Sequence, residues 1–203
     1  MAPVMALGSI LGDWSDRVFV PSAYQFLLSL STAWLFSRLR RKPLAHYGLS
    51  LPGDPKAMRA ILLVVPIAVL PAIVRAEAII SQSYRIDSSA LLLLALGTAV
   101  LGPAAEELLF RGCMLTTLMD EGLGRPILGV SPESWYVSIL FMAAHLVGQK
   151  VPLALLLSLN LTKLLASLVF CRMYERTRSL AGPFLGHALM NALVLSPHLV
   201  LNW

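Results

Sequence analysis

Three pairs of residues, each spaced by one helical turn, stand out in the second half of the chain: Glu107 with Arg111, Phe141 with His145, and His187 with Asn191. Glu106 precedes the first pair, so two carboxylates fall in succession inside an apolar stretch that runs from Leu91 to Met119. A carboxylate inside a membrane span costs about 2.5–3.5 kcal/mol on insertion scales, so two of them need partners or a task. Glu107 and Arg111 are i,i+4 neighbours in the favourable acid-first order, and pairing lowers the cost of both charges. Successive helix residues diverge by about 100°, so the glutamates cannot both face one cavity squarely, and Glu106 is left to face another direction. A carboxylate withdrawn from water becomes more basic, and beside an imidazole it can hold and deprotonate a water. A second histidine and an asparagine amide one turn apart can donate hydrogen bonds to a developing oxyanion. No serine or cysteine lies within these motifs as a nucleophile. The chemistry implied is attack of activated water on a carbonyl, most simply that of a peptide bond. Glu106, His145 and His187 are equally acceptable zinc ligands, and the absence of HExxH does not remove that competing reading.

Each residue also has a plainer reading. A lone histidine in a span is most often a hydrogen-bonding residue between helices. Glu107–Arg111 reads as a structural ion pair, and Phe141 as packing against the site. Asn160 and Lys163, i,i+3 partners, read as helix–helix glue or a snorkelling amine, with a polar path as the alternative. His46 and His198 read as boundary residues. What raises Glu106, His145, His187 and Asn191 above these readings is their common depth. With about 1.5 Å of rise per residue and a hydrocarbon core about 30 Å thick, Glu106 falls about 8 Å from the inner face, and His145 about 15 Å. His187 and Asn191 follow at about 10 and 16 Å.

Composition says what must position these groups. Hydrophobic residues make up 57% of the 203 residues and charged residues 13%, with a mean hydropathy of +0.75. A soluble domain carries about 25% charged residues. The expected fold is all-α: a polytopic transmembrane helix bundle of about six spans, forming a single integral membrane domain over residues 1–203, with the motif-bearing core at about 88–201. The spans are placed at about Val18–Ser37, Met58–Ala76, Ser89–Met119, Trp135–Gly148, Val151–Tyr174 and Leu180–Leu201. The second and fourth are short for a bilayer. Gly102-Pro103 is expected to break or kink the third just before the glutamates. The segment Met1–Asp16 lacks a basic stretch ahead of its apolar run and reads as a surface helix or disordered, with no cleavable signal. Cys113 and Cys171 fall in or beside spans, which argues against a disulfide framework.

The net charge of +5 does not point to nucleic acid, because basic and aromatic residues do not interleave. Arg38, Arg40, Arg41 and Lys42 instead flank an apolar run, where topology determinants sit. With that loop inside, ten basic residues lie on the cytoplasmic side and four outside. Both termini are then external.

The three motifs, in this order on separate apolar segments, resemble those of the CAAX prenyl protease and bacteriocin-processing family, the glutamate-type intramembrane proteases. That family is marked by EExxxR, FxxxH and HxxxN/D. The flank Gly102-Pro-Ala-Ala-Glu-Glu-Leu-Leu-Phe-Arg-Gly112 closely resembles its first motif, and Tyr47-Gly-Leu-Ser50 is a weaker echo. The resemblance covers about Gly102–Leu193. It implies a membrane-embedded endopeptidase in which Glu106 activates water with help from His145. His187 and Asn191 would form the oxyanion hole, with Glu107, Arg111 and Phe141 in support. It implies no cofactor and no metal, a protein or peptide substrate at the membrane, the lipid bilayer as the other partner, and a bacterial inner membrane as the setting. Two further classes compete. A non-enzymatic immunity or scaffold protein of the same fold would have no need for Glu106 and Asn191 together. A small proton-coupled transporter would show repeat symmetry between its halves, and none is visible.

Overall fold

The computed structural model describes residues 13–50, 88–146 and 153–201. Among these residues the chain is helical, with no strand beyond an isolated bridge between Ile127 and Val130. Helix α1 covers Asp13–Arg40. Its described part begins five residues before the expected Val18. A short 3-10 turn, Leu44–Tyr47, follows. The expected second span, Met58–Ala76, lies outside the described residues.

Helix α2 runs over 88–121 as five consecutive segments. They are α-helical Ser88–Ala95, π-helical Leu96–Leu101, α-helical Gly102–Glu107, π-helical Leu108–Leu115 and α-helical Thr116–Glu121. Gly102-Pro103 therefore does not break the third span. Proline removes a backbone donor, and a wide i→i+5 turn placed ahead of it carries the helix past that loss, with Thr98 O met from another helix. Gly102 N–H bonds to Gly97 O, five residues back, and Pro103 has no N–H to place. Gly97 makes room for α1, since a Cβ there would meet the Phe19 backbone at 3.0 Å.

Helix α3, Pro132–Ala144, is capped by Ser131, whose hydroxyl accepts from Ser134 N at 3.1 Å. Its 13 residues reach about 20 Å at about 1.5 Å per residue, so it ends inside the thickness of a bilayer. The fourth expected span thus stops short, at the turn holding His145. Helix α4, Leu153–Thr177, runs back antiparallel to α3, and α5, Ala181–Leu201, closes against α2 and α4. Ser134 Oγ donates to Glu175 Oε1 at 2.7 Å, tying α3 to the end of α4. The second π segment of α2 lies at the centre of the core. Leu108, Phe110, Cys113 and Leu115 pack there with Val137 and Phe141 of α3 and Cys171 and Tyr174 of α4. Both cysteines are free and buried.

The outer surface is apolar. Val18–Arg40 and Leu92–Glu121 are long and apolar enough to cross a membrane. Tyr24, Leu27, Leu28, Trp34, Leu35 and Leu39 are all exposed along α1, as are Leu157, Leu161 and Leu165 along α4. An exposed apolar area on that scale marks a surface made for another apolar phase, here the bilayer.

The Tyr47-Gly-Leu-Ser segment clamps one end of the bundle. Tyr47 is fully buried, and its hydroxyl donates to Phe36 O at 3.2 Å. Gly48 O accepts from Leu180 N at 3.0 Å, and Ser50 O accepts from Ser179 Oγ at 2.6 Å. Gly48 sits at φ +82, and a Cβ there would meet Tyr174 Cε2 at 2.5 Å and Leu180 Cγ at 2.9 Å. Gly48→Ala combines left-handed backbone with a ring clash, and it is expected to destabilise the protein by about 2–4 kcal/mol. Thermal unfolding in detergent measures this, and an unchanged midpoint would remove the clamp from the fold's essentials.

Candidate functional site

Glu106 and Glu107 stand on the α-helical segment between the two π segments of α2 and point in different directions. They meet through one imidazole. Glu107 Oε1 accepts from His187 Nδ1 at 2.8 Å, while Glu106 Oε2 lies 3.8 Å from the Nε2 of the same ring. Glu106 Oε2 is also 3.6 Å from His145 Nε2, and it is buried without a hydrogen bond among the described residues. His145 caps the C-terminus of α3, and its Nδ1 bonds to Phe141 O at 2.7 Å. With each Nδ1–H donated to an oxygen, both rings turn Nε2 towards Glu106. The expectation that the glutamates cannot share a face holds for their side-chain directions. They share a residue instead.

Glu107 is 1% exposed and also accepts from Arg111 at 3.1 Å. The guanidinium is fully buried. Its second terminal nitrogen donates to Ser167 Oγ at 2.6 Å and Ser167 O at 3.3 Å, and its carbon lies 4.7 Å from the Phe141 ring centroid and 5.5 Å from that of Phe170. A charge withdrawn from water needs partners, and here a carboxylate, a hydroxyl and a carbonyl meet the two terminal nitrogens and two aromatic faces flank the group, while Nε is buried without a hydrogen bond among the described residues. The pair is therefore more than a strut: through Glu107 it fixes the tilt and tautomer of His187. Phe141 also lies tilted against His145 at 4.5 Å and meets His187 edge-on at 5.9 Å, while Phe170 stacks on His187 at 5.5 Å. Ser167 and Phe170 are not marked by sequence motifs. Their only signal is helical phase, since both fall on the buried face of α4.

Asn191 sits one turn beyond His187 on α5, and its amide donates to Thr98 O at 2.8 Å. The reason lies in α2. An i→i+5 bond to Thr98 O would come from Pro103, which has no N–H, and Gly102 N–H is taken by Gly97 O. Buried carbonyls are almost always paired, and Asn191 supplies the missing donor. One amide hydrogen is thus engaged with backbone and one remains.

The site is partly open. The His145 side chain is 28% exposed and that of Glu106 is 19% exposed, against 5% for His187. A cavity of about 440 Å³, lined by Phe26, Leu30, Leu108, Leu180, Phe184 and Glu107 among others, opens beside α1.

Removing Glu107 would strand Arg111 and His187 Nδ1 together. Glu107→Ala is expected to lose about 3–5 kcal/mol of stability along with peptide cleavage. Glu107→Gln, which keeps an acceptor but no charge, should fall between the two. A Glu107→Ala protein with a normal unfolding temperature would contradict this arrangement.

No curated protein and no solved structure was found to match. The family model described as Type II CAAX prenyl endopeptidase Rce1-like matches residues 88–193, which spans all of α2, α3 and α4 and the part of α5 that bears His187 and Asn191. The chain belongs to the Rce1-like family of membrane CAAX-type endopeptidases.

Proposed function

We propose that the protein is a membrane-embedded endopeptidase that hydrolyses a peptide bond of a membrane-associated protein or peptide, using a water activated by Glu106 and His145. The observation that carries the reading is the unbonded Glu106 Oε2, 3.6 Å and 3.8 Å from two imidazole Nε2 atoms. Neither distance is a hydrogen bond. Both suit an oxygen nucleophile held among the three groups.

In the proposed reaction Glu106 takes a proton from water as the water oxygen bonds to the carbonyl carbon, with His145 Nε2 orienting the water. The carbonyl oxygen becomes an oxyanion. His187 Nε2, its ring held by Glu107 on Nδ1, faces it from one side, and the remaining Asn191 N–H donates from the other. The carbon–nitrogen bond then breaks, and the proton on Glu106 passes to the leaving amine. The apolar cavity beside α1 suits an apolar group carried by the substrate. The six-span topology, with a bacterial cell membrane as its setting, belongs to the same proposal.

Two experiments test it. Membrane proteins of cells carrying the native chain or Glu106→Gln are compared by mass spectrometry, and a precursor left untrimmed in the variant is expected. His145→Ala should act alike. Both proteins should insert and fold normally, with cleavage down about 100-fold or more, the scale of a lost general base. Near-normal trimming by Glu106→Gln would sink the general-base role. The zinc alternative is addressed separately. Cleavage is expected to persist in o-phenanthroline and elemental analysis to find no stoichiometric zinc, whereas zinc lost and restored together with activity would establish the metalloprotease reading.

A further inference from the structure

Helix α4 carries a polar stripe that the proposed reaction does not use in full. Asn160, Ser167, Cys171 and Tyr174 are all buried. Seven residues on a helix return to within about 20° of the same azimuth, and eleven do likewise, so Asn160 shares the face of Ser167 and Cys171. That face is turned to the site helices. Ser167 bonds to Arg111 of α2 at 2.6 Å, Tyr174 to Thr116 of α2 at 2.6 Å, and Cys171 Sγ lies 3.6 Å from Ser138 Oγ of α3.

These pairs also fix the levels. α2 and α4 run in the same direction and α3 runs against them. Counting back from Arg111, Glu106 stands level with about position 162 of α4. Counting on from Ser138, His145 stands level with about position 164. Asn160 is therefore about 3–6 Å further along the same face, at about 1.5 Å per residue. Its Nδ2 donates to Leu156 O at 2.7 Å, but Oδ1 is buried without a hydrogen bond among the described residues, and the residue is only 4% exposed. A buried acceptor without a donor destabilises a fold, and in a membrane span such a residue marks a site.

We propose that Asn160 is a substrate-binding residue whose Oδ1 accepts a hydrogen bond from a backbone N–H of the extended peptide, one or two residues from the scissile carbonyl. An extended chain advances about 3.3 Å per residue, which matches the offset of Asn160 from Glu106. The contact reads main chain, so it favours an unfolded or extended segment over a helical one, whose N–H groups are already bonded.

The assignment rests on the peptidase reading, and its test separates the two. The full chain in detergent is assayed with a quenched fluorescent peptide ending in a farnesylated CAAX sequence, and with versions N-methylated at single positions around the scissile bond. Asn160→Leu keeps the side-chain volume without the acceptor, and Asn160→Ala is the second variant. Both are expected to lower kcat/KM about tenfold, and the leucine variant to unfold at the same or a higher temperature. In the native chain one N-methylation should cost about tenfold, and in Asn160→Leu that same methylation should cost little more. Full kcat/KM in Asn160→Leu, or unchanged methylation penalties at every position, would overturn the assignment while leaving Glu106 dependence intact. Cleavage that survives Glu106→Gln would instead overturn the reading beneath it.

Discussion

A buried positive charge governs this bundle. Arg111 is wholly withdrawn from water, and the energetic penalty for leaving such a charge unmatched exceeds that of most packing defects. Its partners come from three different helices. Glu107 lies on its own helix, Ser167 on α4, and the ring of Phe141 on α3. The fourth site helix, α5, joins through His187, which bonds to Glu107 and stacks on Phe170. The partners of one guanidinium thus link four helices, and the reactive groups inherit that geometry. Glu106, with no such duty, is left to face the two Nε2 atoms.

The remaining polar groups of the site follow a related rule. Within an apolar bundle a backbone carbonyl freed by an irregular turn must find another donor. Thr98 O is freed by the π turn ahead of Pro103 and is met by the Asn191 amide. A residue read from sequence as an oxyanion donor thus also acts as a helix tether. The two roles are compatible because an amide nitrogen carries two hydrogens. His187 is likewise shared, with one nitrogen for structure and one for the site.

Much of this was legible in the sequence because membrane burial makes polar residues conspicuous. The one-turn spacing singles out Glu107 with Arg111, Phe141 with His145, and His187 with Asn191, and Glu106, His145 and His187 do lie near one another. What was not legible depended on angle rather than depth. The sharing of His187 by both glutamates depends on ring orientation. Ser167 and Phe170 carry no pattern beyond helical phase, since serine and phenylalanine are ordinary in such helices. Apolar content alone carries the fourth span through His145, whereas the helix ends at Ala144 and His145 caps it. Gly102-Pro103 reads in sequence as a break or a kink because proline disrupts an α-helix, and a wider turn carries the helix on without a break.

The π segments have one more consequence, for the chain's tolerance of length changes. A π turn holds one residue more than the α turn it replaces. Losing a single residue within Leu96–Leu101 would let this turn tighten to α geometry. It would also rotate everything before it by about 100° relative to the glutamates. Thr98 would swing away from Asn191, and Gly97 from the α1 backbone it admits. The angular setting of the site is thus written in a residue count, and a deletion there would leave every motif intact while pointing its helix the wrong way.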